Sequence, residues 1–234
     1  MIIKKLIKLV LLLIAAVFAG ALGGVLAFNQ CAGLFSSYEF PGMMPMAEEK
    51  TEVVIQENKA LKNAIAKVKG AVIEIRVADA KNNITQGSGI ILASDGIAAA
   101  VYDFYPPGAK AEVFHRGEKI GFEVLKRDKD ANAVILKLDA ADLSTMGFYH
   151  AEDLMLGERV FLVGARGGND FFVNEGIVRD FAEDKITTNI YESAPAAGAP
   201  VFDIEGKILG IAEIAKNGQT SIIPVWRLKE IGEL

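Results

Sequence analysis

From residue 70 onward the chain is a series of short apolar runs, each closed by a turn within about 8 to 12 residues, and that spacing suits a β-sandwich or barrel. Ile73, Ile75 and Val77 alternate with Glu74 and Arg76, which predicts a half-buried strand. Gly89-Ile90-Ile91-Leu92 precedes a turn at Ser94-Asp95-Gly96. Val113-Phe114 and Phe122-Glu123-Val124-Leu125 flank Arg116-Gly117-Glu118 as a hairpin. Further runs begin at Ala133, Val160, Phe171, Gly176, Ile186, Lys207 and Ser221. No strand–helix alternation is present, so a doubly wound parallel sheet is not expected. Gly164, Gly167 and Gly168 are not followed by Gly-Lys-Ser/Thr and form no phosphate loop.

The N-terminal segment obeys different rules. Lys4, Lys5 and Lys8 precede an uncharged apolar run of 20 residues, 9–28, long enough to cross a bilayer as a helix. The positive-inside rule then puts the N-terminus in the cytoplasm and the rest outside the cell membrane. Ala19-Gly20-Ala21 also fits a signal-peptide cleavage site. The apolar run continues through Val25-Leu26-Ala27-Phe28, which favours an uncleaved anchor. Residues 29–48, with Pro41 and Pro45, read as a linker. Over 49–69 the spacing of Val54, Leu61, Ile65 and Val68 predicts a helix. It either packs on the following domain, the preferred reading, or brings copies of the chain together as a homo-oligomer.

Composition removes several function classes. The single cysteine, Cys31, excludes an intramolecular disulfide framework. Two histidines, His115 and His150, offer little for a metal centre, and no metal or cofactor is expected. A net charge of −5 argues against nucleic-acid binding.

Several segments resemble the HtrA/DegP-type branch of the trypsin-like serine proteases. They are Ala64 to Ile75, Gly87-Ser88-Gly89-Ile90-Ile91-Leu92-Ala93-Ser94-Asp95-Gly96, Asp128 to Lys137, Val163-Gly164, Glu175-Gly176-Ile177-Val178, Gly198 to Ile211, and Ile222-Ile223-Pro224-Val225. The similarity runs in order over about residues 60–230. It implies an all-β fold of two six-stranded barrels of the trypsin type with a cleft between them. Barrel one is expected over about 70–142 and barrel two over about 155–228, within a domain spanning 70–234. The family's C-terminal PDZ domain is not expected in a chain ending at Leu234.

The resemblance fails at the catalytic positions. Where the family carries its general-base histidine this chain has Asp103, a poor base for a serine hydroxyl. Asn132 stands in place of the orienting aspartate, and a neutral amide cannot stabilise an imidazolium. Ala197 stands in place of the nucleophile. Pro195 replaces the glycine whose N–H is one donor of the oxyanion hole, and proline has none.

An alternative Ser193/His150 pair, or a gathering of Asp103, Glu192 and Asp203, is weighed against ordinary surface roles, which are preferred. Trp226 is expected to pack. The expectation is therefore a membrane-anchored pseudoprotease, with no intact catalytic residue, whose cleft takes a peptide or partner protein. The alternative is an HtrA-like serine endopeptidase of envelope protein quality control.

Overall fold

The computed structural model describes residues 8, 12, 14, 16–21, 23, 48–78, 83–103, 108 and 110–234, and of 48–57 the backbone alone. Most of the expected anchor and the 29–47 part of the expected linker lie outside the described residues. The chain divides into two compact units, Met1–Val53 and Val54–Leu234. Among the described residues no helix is long and apolar enough to cross a membrane.

Helix α1, Glu48–Val68, begins at the last residue of the expected linker. Its face carrying Leu61, Ala64, Ile65 and Val68 packs on the core of the second unit, with Val68 fully buried. A 3-10 turn, Lys69–Ala71, then hands the chain to the first strand.

Seven strands follow: β1 (Val72–Ala78), β2 (Ile84–Ile91), β3 (Ile97–Val101), β4 (Lys110–His115), β5 (Glu118–Ile120), β6 (Phe122–Asp128) and β7 (Ala133–Leu138). They form one antiparallel sheet in the order β5-β4-β1-β2-β3-β7-β6. Six strands are expected here. The seventh arises because Gly121 interrupts a single run into β5 and β6, and its carbonyl accepts from the Asp139 N–H instead of a ladder partner.

The next six strands are β8 (Arg159–Gly167), β9 (Asp170–Phe181), β10 (Ile186–Tyr191), β11 (Pro200–Asp203), β12 (Ile208–Ile214) and β13 (Gln219–Pro224). They close into a barrel in the order β10-β13-β12-β11-β8-β9. Helix α2, Val225–Gly232, ends the chain with Val225, Leu228 and Ile231 buried.

The first sheet does not close as expected: β5 and β6 are left as its edges, so barrel one is a half-barrel beside the closed barrel two. Each has its own core, and a third cluster joins them. Ile73, Ile75, Ile91, Val113 and Leu136 fill the first; Val160, Leu162, Ile186, Ile190 and Leu209 fill the second. Between them lie Ile90, Val101, Ile135, Phe161, Val163 and Phe202, with the Phe161 and Phe202 rings 5.6 Å apart. Close backbone approach sets one cross-strand pair. Gly164 faces Phe172 across β8–β9, and a Cβ at Gly164 would stand 2.1 Å from that ring.

One expected alternation is corrected. Glu74 does not point to solvent but is buried, because β2 and the β8 backbone cover it. Its Oε1 accepts from Arg76 Nε and from Gln86 Nε2, and Gln86 in turn reaches the Ala165 carbonyl. The other carboxylate oxygen, Oε2, has no hydrogen-bond partner.

Candidate functional site: the inter-barrel cleft

A recess of about 370 Å³ opens between the two barrels. Barrel one contributes Thr85 from β2, Val101 and Asp103 from the end of β3, and Asn132 ahead of β7. Barrel two contributes Lys185, Ala194, Ala197, Ser221 and the strand Glu213-Ile214-Ala215. Asp103, Asn132 and Ala197 are thus brought together in one cavity.

The Asn132 side chain is the centre of this site. Its backbone takes a left-handed conformation, φ 50°, which asparagine tolerates better than most residues. The turn that places it is pinned by the Ala131 N–H on Asp128 Oδ1 at 2.9 Å. The Asn132 carbonyl accepts from the Tyr102 N–H, and Oδ1 accepts from the Asp103 N–H at 2.9 Å. Nδ2 donates across the cleft to Glu213 Oε1 at 2.6 Å. Both halves of the amide are therefore used, which fixes its orientation.

Glu213 gathers the other wall. Its Oε2 accepts from Ser221 Oγ at 3.3 Å and lies 3.5 Å from Lys185 Nζ. Sequence reasoning missed Glu213, Lys185 and Ser221. A signal for Glu213 was present: it shares the strand parity of buried Ile211, so a charge stands on an otherwise apolar face.

The Ala197 turn is closed on itself. Residues Ala194–Ala196 form a 3-10 turn with Pro195 inside it. The Ala197 N–H donates to the Ala194 carbonyl at 2.9 Å, and the Ala196 N–H to the Ser193 carbonyl at 2.9 Å. The turn is also tied to barrel one, since the Ser88 N–H donates to the Ala197 carbonyl at 3.0 Å. Gly198, at φ 75°, makes that approach possible; a Cβ there would lie 2.0 Å from the Ser88 carbonyl oxygen.

The remaining candidates are separate. Glu192 accepts from Asn174 Nδ2 at 2.8 Å, and Asp203 Oδ1 accepts from the Glu205 and Lys207 N–H groups. Burial holds the Asp203 carboxyl above its ordinary range, against the pull of those two N–H donors. His150 lines another recess with Phe148, Tyr149 and Trp226. His115 places Nε2 2.8 Å from the Gly70 carbonyl. Trp226 is half-buried and donates from its indole N–H to the Glu183 carbonyl. Among the described residues no three His, Cys, Asp or Glu side chains come together to hold a metal ion.

Comparison with known proteins agrees with the fold. The model of the trypsin-like peptidase domain matches residues 87–211. A probable periplasmic serine endoprotease, DegP-like, of Halomonas elongata is 28 % identical over 134 residues, covering 53 % of this chain and 28 % of that protein. One of the same description from Chlamydia muridarum is 22 % identical over 156 residues, covering 62 % of this chain and 31 % of the other. The chain thus spans about a third of these relatives. The crystal structure of the serine endoprotease from Yersinia pestis superposes with a TM-score of 0.66 at 18 % identity, covering 74 % of this chain and 65 % of that one. A half-barrel and a closed barrel with a cleft at Asn132 and Ala197, a domain match over more than half the chain, and the DegP-like relatives make this chain a member of the trypsin-like peptidase family, of the HtrA type.

Proposed function

We propose that the protein is a membrane-anchored pseudoprotease, an HtrA-type barrel pair outside the cytoplasm whose cleft binds a peptide without cutting it. The observation that carries this reading is the Ala197 turn. A methyl stands where acyl transfer needs a nucleophile, and the N–H at that residue is already given to the Ala194 carbonyl. The second donor of the hole is lost at Pro195. Oxyanion donors alone are worth about 10²–10³ in rate, and here they fail together with the triad positions. Ser221 and Lys185 do not replace them as a pair, since both address the Glu213 carboxylate.

Support for the anchor comes from Leu12, Ile14, Val17 and Phe18, helical and each at least half exposed. Such a surface suits lipid. The periplasmic description of the relatives supports an extracytoplasmic barrel pair. Self-association through 49–68 would have to use residues other than Leu61, Ala64, Ile65 and Val68, which pack on the barrel; cross-linking of the full chain tests it.

The deciding experiment is cleavage of a labelled, unfolded protein substrate by the purified full chain, beside an active HtrA-type protease. The expected result is no turnover above blank, with retained peptide binding that Ala197→Trp abolishes by filling the cleft. Cleavage that survives repurification and falls in Ser221→Ala or Ser193→Ala would overturn the reading in favour of an endopeptidase.

A further inference from the structure

Away from the cleft, three chain segments meet around a second recess of about 250 Å³. Lys69 and Gly70 come from the 3-10 turn before β1, Arg116 from the β4–β5 tip, and Asn169 and Phe171 from the β8–β9 tip. It shares no lining residue with the inter-barrel cleft. We propose that this recess is a binding site for a small oxyanion, of phosphate size, carried either as free phosphate or as a carboxylate.

Charge is the first reason. The lining holds an ammonium, a guanidinium and a carboxamide, and no acidic side chain. Some cations of this acidic chain, among them Arg76, Lys119, Lys137 and Arg159, are ion-paired, while others such as Lys110, Lys129 and Arg166 have no ion pair among the described residues. Lys69 and Arg116 have no ion pair among the described residues. Two unneutralised cations facing one small volume repel each other, and an anion between them relieves that repulsion.

Backbone geometry is the second. Arg116 sits at φ 53°, followed by Gly117 at φ 83°. A two-residue hairpin turn of that kind favours asparagine, aspartate or glycine at its first position. An arginine there is held in a conformation that costs free energy, and such strain gathers at ligand-binding positions. The neighbouring glycine accommodates it: a Cβ at Gly70 would stand 3.2 Å from Arg116 Nη2.

Orientation is the third. Arg116 Nη2 donates to Ser144 Oγ at 3.3 Å, which aims the guanidinium without neutralising it. The rest of its donor fork remains available for a planar or tetrahedral oxyanion. Lys69 Nζ lies 5.4 Å from the centre of the half-buried Phe171 ring, so the ammonium is held over an apolar floor. Because the lining spans both barrels, a bound anion would tie the β4–β5 tip to the β8–β9 tip. Those tips already touch, since a Cβ at Gly117 would stand 3.0 Å from the Gly168 carbonyl oxygen.

The test is a phosphate titration of the purified full chain at constant ionic strength, read by thermal unfolding and calorimetry. The expected result is a saturable rise in Tm of about 2–4 °C. Arg116→Gln and Lys69→Gln alter exposed side chains, so both should fold and melt like the phosphate-free parent, but lose the rise. A parallel titration with acetate identifies the source: a saturable rise with acetate in place of phosphate supports the site and assigns it to a carboxylate. No rise with either anion overturns the proposal. So does an unsaturable rise shared by parent and both variants, the mark of general salt exclusion from the surface.

Discussion

Asn132 makes one hydrogen bond that an ionised aspartate could not make. Its Nδ2 donates to Glu213 Oε1 at 2.6 Å, so a carboxylate at 132 would face another carboxylate. Asn132→Asp is expected to destabilise the fold by about 1–3 kcal/mol at pH 7, from a lost bond plus like-charge repulsion. Urea unfolding should show the deficit shrinking at pH 4, where protonation relieves the repulsion; an unchanged deficit would refute this cause. Asp203 offers an opposite pH signature. Burial raises its carboxyl above the ordinary range, so the protonated form favours folding. That contribution is whole below about pH 4, the ordinary aspartate value, and is lost as pH rises through the raised value. Asp203→Asn removes the titration, so its stability relative to the parent should rise between pH 4 and 7. A pH-independent difference in denaturant midpoint would count against it.

Strands and helices were legible to the extent that their patterns were local. The β13 and β7 runs, Ser221 to Pro224 and Ala133 to Leu138, announce themselves by β-branched and aliphatic density. β3 does not: Ala98, Ala99 and Ala100 prefer a helix, and they form a strand only because β2 and β7 flank them. Glu74 misled the alternation rule because what covers it, the β8 backbone near Ala165, lies some ninety residues away in the chain. The cleft divides similarly. Asp103, Asn132 and Ala197 could be found by register against a family pattern, whereas Glu213 and Ser221 needed the fold to bring them to Asn132. For α1, the periodicity identified a face and the structure supplies its partner. Val68→Ala should cost about 1–3 kcal/mol in equilibrium unfolding, since the removed methyl groups leave a fully enclosed space. A cost below about 0.5 kcal/mol would mean that the helix is not integral to the barrel core.

Taken as one object, the molecule is a trypsin-like scaffold in which the residues at the cleft support one another. Reintroducing the three side chains alone, as Asp103→His, Asn132→Asp and Ala197→Ser, is expected to leave cleavage of an unfolded substrate at blank. The residue-132 carboxylate would meet Glu213, Pro195 would still lack a donor, and the 197 N–H would still be spent on Ala194. Adding Pro195→Gly and Glu213→Gln addresses the remaining obstacles, and any activity should be seen first in that five-site variant. Cleavage by the triple variant would show that the turn reopens unaided.

Gly198 carries a different consequence, about descent rather than chemistry. On the proposed reading the turn has no catalytic duty, and a residue in such a turn would ordinarily be free to drift. This one is not, because its missing side chain is the clearance through which barrel two reaches the Ser88 backbone, and φ 75° bars most replacements. Selection for folding alone should therefore keep a glycine at 198 in chains that have no use for a nucleophile beside it.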